Sequence, residues 1–174
     1  MREPDGFREF VVGRSPYLLR TAWMLTGDAA AAEDLLQTAL ARTWPHWARV
    51  SRGHPEAYVR TIMVRTNASW RSRFWHREKP TDLTSGTDHI RIEAYAGTDR
   101  SEQVTERMVL VAALAQLPVR QRQAVVLRYF EDLAVRDVAE IMACSEGTVK
   151  SQTAKGLTRL RKLIGEDNLV KEDL

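Results

Sequence analysis

Apolar residues recur at helical spacing along nearly the whole chain. The alternating β-branched runs bounded by turn residues that mark strands are missing. Phe7, Phe10 and Val11 suggest a first short helix. Ser15-Pro16 then reads as the start of a second, with Ser as N-cap and Pro at the first helical position. It carries Leu18, Leu19, Ala22, Trp23 and Leu25 inward and stops at Gly27. Asp28 can cap a third helix, AAAAEDLLQTALARTW, with Leu35, Leu36, Ala39 and Leu40 on its inner side and an end before Pro45. His54-Pro55 opens a fourth, from Glu56 to about Trp75, whose apolar stripe is Val59, Ile62, Met63, Trp70 and Phe74.

The pattern breaks over residues 78–103, which are acidic and rich in Gly, Thr, Ser and Asp, and read as a linker. Helical spacing resumes in ERMVLVAALAQL, restarts after Leu117-Pro118 in VRQRQAVVLRYF, and is broken at Asp132 or Leu133. Two amphipathic runs then meet at a tight polar junction in DVAEIMACSEGTVKSQTAKGLTRLRK. The expected fold is all-α: two small helical domains, 1–77 and 104–165, joined by a flexible linker, with an acidic tail over 166–174.

Composition adds a polyanionic partner to this picture. Net charge is only +3, but it is uneven: residues 1–80 hold 13 Lys/Arg against 8 Asp/Glu, residues 81–103 hold 2 against 5, and residues 104–174 hold 11 against 10. The basic surplus therefore lies in the N-terminal half. One cysteine, Cys144, excludes an intramolecular disulfide and a cysteine-based zinc site, and reads as a small turn residue. No apolar run approaches the ~18 residues that span a bilayer, and the N-terminus lacks a signal-peptide core. The expected location is the cytoplasm.

The final two runs resemble a helix-turn-helix. Val138, Ile141 and Met142 line the inner side of the first; Val149, Gly156 and Leu160 line that of the second, which Ser145 can cap. Thr148, Lys150, Ser151, Gln152, Lys155 and Arg159 are left outward near a helix N-terminus, where amides and cations meet phosphate and short polar tips meet base edges. Arg120 and Arg122 are candidate further phosphate contacts. A polar outer face is also what any solvated helix pair shows; Gly147 and Thr148 beside Lys150 tilt the reading towards DNA. Ala143 stands where a left-handed turn would suit glycine, a cost of about 1 kcal/mol.

Residues 60–79 are the most basic stretch, with Arg60, Arg65, Arg71, Arg73, Arg77 and Lys79 against Glu78, and Trp70, Phe74 and Trp75 interleaved. Arginines neutralise phosphate, and aromatics stack on unpaired bases. Trp70 and Phe74 read better as core, leaving the arginines outward and Trp75 open. On the third helix Glu33, Asp34 and Gln37 share an outer face, either a protein contact or simply solvated. His46, His54, His76 and His89 show no paired ligand spacing, and neither a nucleophile motif nor a phosphate loop is present. No enzyme activity, cofactor or metal is expected.

Taken in order, AEDLLQTALARTW, a basic-aromatic helix, a linker and LPVRQRQAVVLRYFEDLAVRDVAEIMACSEGTVKS resemble the extracytoplasmic-function (ECF) sigma factors of bacterial RNA polymerase, and TAWMLTGDAAAAEDLLQTALARTW resembles their actinobacterial forms. The resemblance implies two helical domains, sigma regions 2 and 4. It implies docking on core polymerase through Asp34 and Gln37, with Arg42 nearby. It implies a pocket for a flipped −10 base about Val50 to Pro55, −10 strand contacts from Arg60, Arg65, Asn67 and Arg71, and −35 reading through Thr148, Lys150, Ser151, Gln152 and Lys155. Promoter DNA and an anti-sigma protein are the further partners it suggests. Two features depart. Many relatives have Asn where an ungapped match puts Arg65, with Asn67 two residues on. The final helix reads Gln-Thr-Ala-Lys-Gly-Leu where relatives often have Arg-Leu-His-Arg-Ala-Arg, so it is less cationic, and Gly156 weakens it as a helix. The alternative is a response-regulator type transcription factor. That would require a receiver domain of alternating strands and helices upstream, which the helical Arg- and Trp-rich N-terminal half does not match.

Overall fold

The computed structural model describes the backbone of residues 4–75 and 101–172 and the side chains of 4–70 and 104–165. The chain divides into two compact units, Met1–His89 and Ile90–Leu174. Among the described residues every regular element is helical.

The N-terminal unit holds α1 (Phe7–Thr26), α2 (Ala29–Thr43), a 3₁₀ turn Trp44–His46, the single turn α3 (Trp47–Val50) and α4 (Pro55–Trp75). Helix α2 packs on both α1 and α4. The expected break at Ser15-Pro16 is corrected: α1 is one 20-residue helix with Pro16 inside it. Proline removes one bond of the ladder, to the Val12 carbonyl, but Val12 and Pro16 are both exposed, where water can take the freed carbonyl. The helix is also pinned at both ends. Phe7 meets Trp44 and Trp47 edge-on at 4.9 and 5.1 Å, and the Trp47 indole N–H donates to the Asp5 carbonyl at 2.8 Å. At the other end Leu18, Ala22 and Leu25 are fully buried. The turn to α2 follows the expected chemistry. Gly27 adopts a left-handed conformation (φ 76°) and donates to the Trp23 carbonyl at 2.7 Å, and the Asp28 carboxylate accepts from the Ala31 N–H at 2.7 Å.

The C-terminal unit holds α5 (Ser101–Ala115), α6 (Val119–Val125, continuing as a wide π-helical turn over Val126–Phe130), α7 (Val135–Met142) and α8 (Glu146–Glu172). Most of the expected linker lies outside the described residues, and α5 takes up its last three positions. The side chains of the acidic tail also lie outside them. Helix α6 ends at Asp132, which turns the chain with φ 50°, and the widened turn leaves Tyr129 and Phe130 exposed. The turn between α7 and α8 has Ala143 in the left-handed region (φ 51°, ψ 52°), and the Cys144 N–H reaches back to the Ala139 carbonyl at 3.0 Å. This is a Schellman closure without its usual glycine. Cys144 is half-buried in that turn.

Helix α8 packs on α6 and α7 through Val149, Thr153, Gly156 and Leu160. A Cβ at position 156 would lie 2.7 Å from Val125 Cγ2 and 3.2 Å from the Gln121 carbonyl oxygen. The glycine therefore lets α6 and α8 approach closely at this point. Its intrinsic helix penalty of about 1 kcal/mol is exchanged for that contact. Valine is stiff at χ1, so Gly156→Ala should lower stability by about 1–2 kcal/mol despite alanine's better propensity. Val125→Ala placed behind it should recover part of the loss. Thermal melts of the two single variants and the double variant check this; strict additivity would show that the two positions do not touch.

Candidate nucleic-acid interface

The C-terminal surface is built from the Ser145 cap outward. Ser145 Oγ accepts from the Thr148 N–H at 3.1 Å and lies 2.9 Å from Thr148 Oγ1. This fixes the first turn of α8 and leaves its other amides at the helix tip. Over the buried stripe, Lys150, Ser151, Lys155 and Arg159 are exposed, and Thr148 and Gln152 are half-buried. At about 100° per residue, Thr148, Ser151, Gln152, Lys155 and Arg159 share one outer face. Lys150 stands about 160° round the helix from Gln152, on the other side of the buried stripe, so it flanks that face rather than sharing it.

The two upstream arginines are corrected. Arg122 is 2% exposed, and its guanidinium donates to the carbonyls of Ala115 and Leu117 at 3.1 and 3.0 Å. It closes the end of α5, where carbonyls lack helical partners. Arg120 donates to the Met142 carbonyl at 2.9 Å and so ties the start of α6 to the end of α7. Arg122 thus closes α5 onto α6, and Arg120 joins α6 to the first helix of the helix-turn-helix. The pattern Pro118-Val-Arg-Gln-Arg had no feature separating such clamps from phosphate contacts; the signal was only that each lies near a helix end.

In the N-terminal unit Asp34 and Gln37 are exposed side by side on α2. Arg42, two turns on from Glu33 and Asp34, is exposed but has Nη1 2.9 Å from Thr66 Oγ1 on α4. The segment Ser51–His54 is exposed between buried Val50 and the start of α4, with the Tyr58 N–H donating to the His54 carbonyl at 3.1 Å. Along α4 the four expected −10 residues separate. Arg65 is exposed, whereas Arg60 and Asn67 are 8% and 5% exposed and pack within the domain. Arg60 pairs with Glu56 at 3.5 Å, and Glu56 also reaches Arg14 of α1 at 3.4 Å, so this cluster joins α1 to α4. The side chains of Arg71, Arg73, Phe74, Trp75, Arg77 and Lys79 lie outside the described residues.

Helix α4 bears one described arginine outward, Arg65, beside buried Val64, Thr66 and Asn67, and α8 carries an exposed polar-cationic face. Comparison with known proteins supplies the family. Residues 11–76 match the family model described as sigma-70 region 2, and residues 107–160 match that described as sigma-70, region 4. A protein of Streptomyces coelicolor named RNA polymerase sigma-E factor is 36% identical, covering 100% of this chain and 92% of that protein. The chain belongs to the ECF sigma factors of RNA polymerase. A sigma-E factor of Streptomyces antibioticus is 37% identical over 90% of this chain and 83% of its own length. The ECF sigma factor SigL of Mycobacterium tuberculosis is 29% identical over 86% and 83%. Among solved structures, the sigma factor RpoE of Bartonella quintana, crystallised with the anti-sigma factor NepR, has the same fold (TM-score 0.63, 22% identity, 93% of this chain and 98% of that one). No described helix of this sigma factor is long and apolar enough to cross a membrane.

The burial pattern along α4 separates support from surface. Arg60→Ala and Asn67→Ala should each lower the melting temperature of the sigma factor, by about 1–3 kcal/mol of stability. Arg65→Ala should stay within about 0.5 kcal/mol of the parent. Differential scanning calorimetry of the three variants distinguishes them; a loss at Arg65 as large as at Asn67 would contradict the assignment.

Proposed function

We propose that this sigma factor divides promoter recognition between its two units. Asp34 and Gln37, with Arg42 beside them, dock on core polymerase. The Ser51–His54 segment and the outer side of α4, with Arg65 and Arg71, receive the −10 strand as it melts, while Arg60 and Asn67 hold that helix in place. Thr148, Lys150, Ser151, Gln152 and Lys155 face the −35 duplex. The observation that carries the reading is α8 itself: an exposed polar and cationic face, capped by Ser145, over a buried stripe from Val149 to Leu160. Base edges in a major groove are read by short polar tips at such a helix end. The protein acts in the cytoplasm without catalytic activity or a cofactor of its own. An anti-sigma protein that covers these surfaces is part of the same reading; the Bartonella sigma factor was crystallised with an anti-sigma factor.

The test is reconstitution with core RNA polymerase and a promoter library, followed by sequencing of the transcripts. The parent should bind core and initiate selectively; absence of either overturns the proposal. Asp34→Arg should lose core binding. Gln152→Ala should keep it and relax base preference at one −35 position by about 1–3 kcal/mol, and Lys150→Ala should keep core binding and weaken −35 engagement. The opposite pattern would mean that the surfaces have exchanged roles.

A further inference from the structure

The exposed segment Ser51–His54 follows a helix too short to hold itself. Helix α3 is a single turn of four residues, Trp47–Val50, and a lone turn of that length is not stable in water. The segment hangs from it: the Ser51 N–H donates to the Trp47 carbonyl at 2.8 Å, and the Gly53 N–H to the Val50 carbonyl at 3.1 Å. What packs on α3 therefore decides where the segment stands. Trp47 is 4% exposed, and the start of the chain holds it by both ring and N–H. Phe7 meets the ring edge-on at 5.1 Å, Phe10 lies tilted against it at 5.0 Å, and the Asp5 carbonyl accepts from the indole N–H at 2.8 Å. Phe7 also meets Trp44 at 4.9 Å, in the 3₁₀ turn that leads into α3. Gly6 is left-handed (φ 78°), a bend that suits glycine and lets the Asp5 carbonyl and the Phe7 ring reach the same indole. The stretch that matches sigma-70 region 2 begins at residue 11, so Asp5, Gly6, Phe7 and Phe10 all precede it.

We infer that residues 5–10 are a positioning brace for base recognition: Phe7, Phe10 and the Asp5 carbonyl fix Trp47, and Trp47 fixes the backbone of Ser51–His54. The inference rests on the proposed role of that segment in receiving the −10 strand. An exposed segment free to move must be ordered when a base enters it, and that cost is taken from affinity and discrimination. Anchoring both ends beforehand removes most of it. The far end is held where the Tyr58 N–H donates to the His54 carbonyl at 3.1 Å. The near end depends on Trp47. Edge-on ring contacts and an N–H bond are both directional, so together they fix the orientation of the indole as well as its place. Apolar packing alone would fix only the place. Helix α3 also packs on α4, so a brace on Trp47 ties the receiving segment to the helix that carries Arg65. Phe7 and Trp47 are positioning residues on this account, buried and acting through the segment they hold.

Two measurements test the brace: amide hydrogen exchange of the full chain, and base preferences of the assembled holoenzyme on a promoter library. Phe7→Leu keeps an apolar side chain and loses the ring. Trp47→Phe keeps a ring and loses the N–H donor. Each should speed exchange at the Ser51 and Gly53 amides by about tenfold, as local opening becomes easier. Each should also lower the preference for one −10 base by about tenfold, the equivalent of one hydrogen bond. Core binding and −35 preference should not change. Leu25→Val removes one buried methylene at the other end of α1, about 27 Å along the helix from Phe7. It should lower the melting temperature and leave both readouts as in the parent. Unchanged exchange at Ser51 and Gly53 in Phe7→Leu overturns the inference. An equal change in Leu25→Val also overturns it, because the effect would then be general stability. Ser51→Ala/Arg52→Ala/His54→Ala, which alters the segment itself, separates the two levels of the argument. If that triple variant keeps the −10 preference, the proposed role of the segment falls first and takes the brace with it. If it loses the preference while Phe7→Leu and Trp47→Phe keep it, only the brace is lost.

Discussion

On the proposed role, helix α8 must be core on one side and reader on the other, and the C-terminal unit is organised around making both possible on a single helix. Its inner stripe has to fit against α6 and α7 closely enough to fix the helix's rotation, because rotation by one residue would turn Val149 outward and Gln152 inward. A contact with little tolerance is at Gly156, where the backbone of α8 comes so near Val125 and the Gln121 carbonyl that an added Cβ would force a neighbour to shift. Interior packing is dense enough that one added methyl group is felt. A close contact of that kind sets the register of the helix, and the Ser145 cap sets where it begins. Between them they fix which residues stand outward.

The arginines around this helix show how cations near a DNA-binding surface can serve the fold instead. Arg122 and Arg120 spend their donors on backbone carbonyls at the ends of α5 and α7. Those carbonyls would otherwise lack partners inside the unit, and an unmet buried polar group costs more than a hydrogen bond contributes. The N-terminal unit repeats the division. Glu56 gathers Arg14 and Arg60 and joins α1 to α4, and Thr66 on α4 receives Arg42 from α2. Arg65, between buried Val64 and Thr66, is left outward on a helix that its neighbours hold still.

Local backbone chemistry was legible in the sequence because its causes are local. The Gly27-Asp28 stop and start, the entry to α4 at His54-Pro55, the Ser145 cap and the left-handed Ala143 all depend on residues within one turn. Pro16 was misread because its effect depends on what surrounds it: the same residue starts a helix or sits inside one according to whether distant groups pin both ends, here Phe7 on Trp44 and Trp47 and Leu18 and Leu25 in the core. Arg60, Asn67 and Arg122 were hidden for a related reason. Arginine and asparagine are usually exposed, and only the packed helices reveal a carbonyl or carboxylate waiting inside. The penalty assigned to Gly156 was correct as propensity but incomplete, since the compensating contact lies on another helix.

The charge distribution then has a physical reading. Residues 104–174 carry almost no net charge, yet α8 presents Lys150, Lys155 and Arg159 outward and Lys162 after them. Net charge governs long-range attraction, whereas discrimination depends on where charges stand. A reader with little overall surplus binds DNA weakly in general and loses less affinity to non-specific sites. On the proposed roles, weak general attraction is no handicap, because a second DNA surface on the same chain raises the effective concentration of the first. Strong non-specific binding by either unit alone would trap the protein away from promoters. The modest cationic content of α8 and the basic surplus placed elsewhere on the chain are thus consistent with specificity that arises only when both units engage.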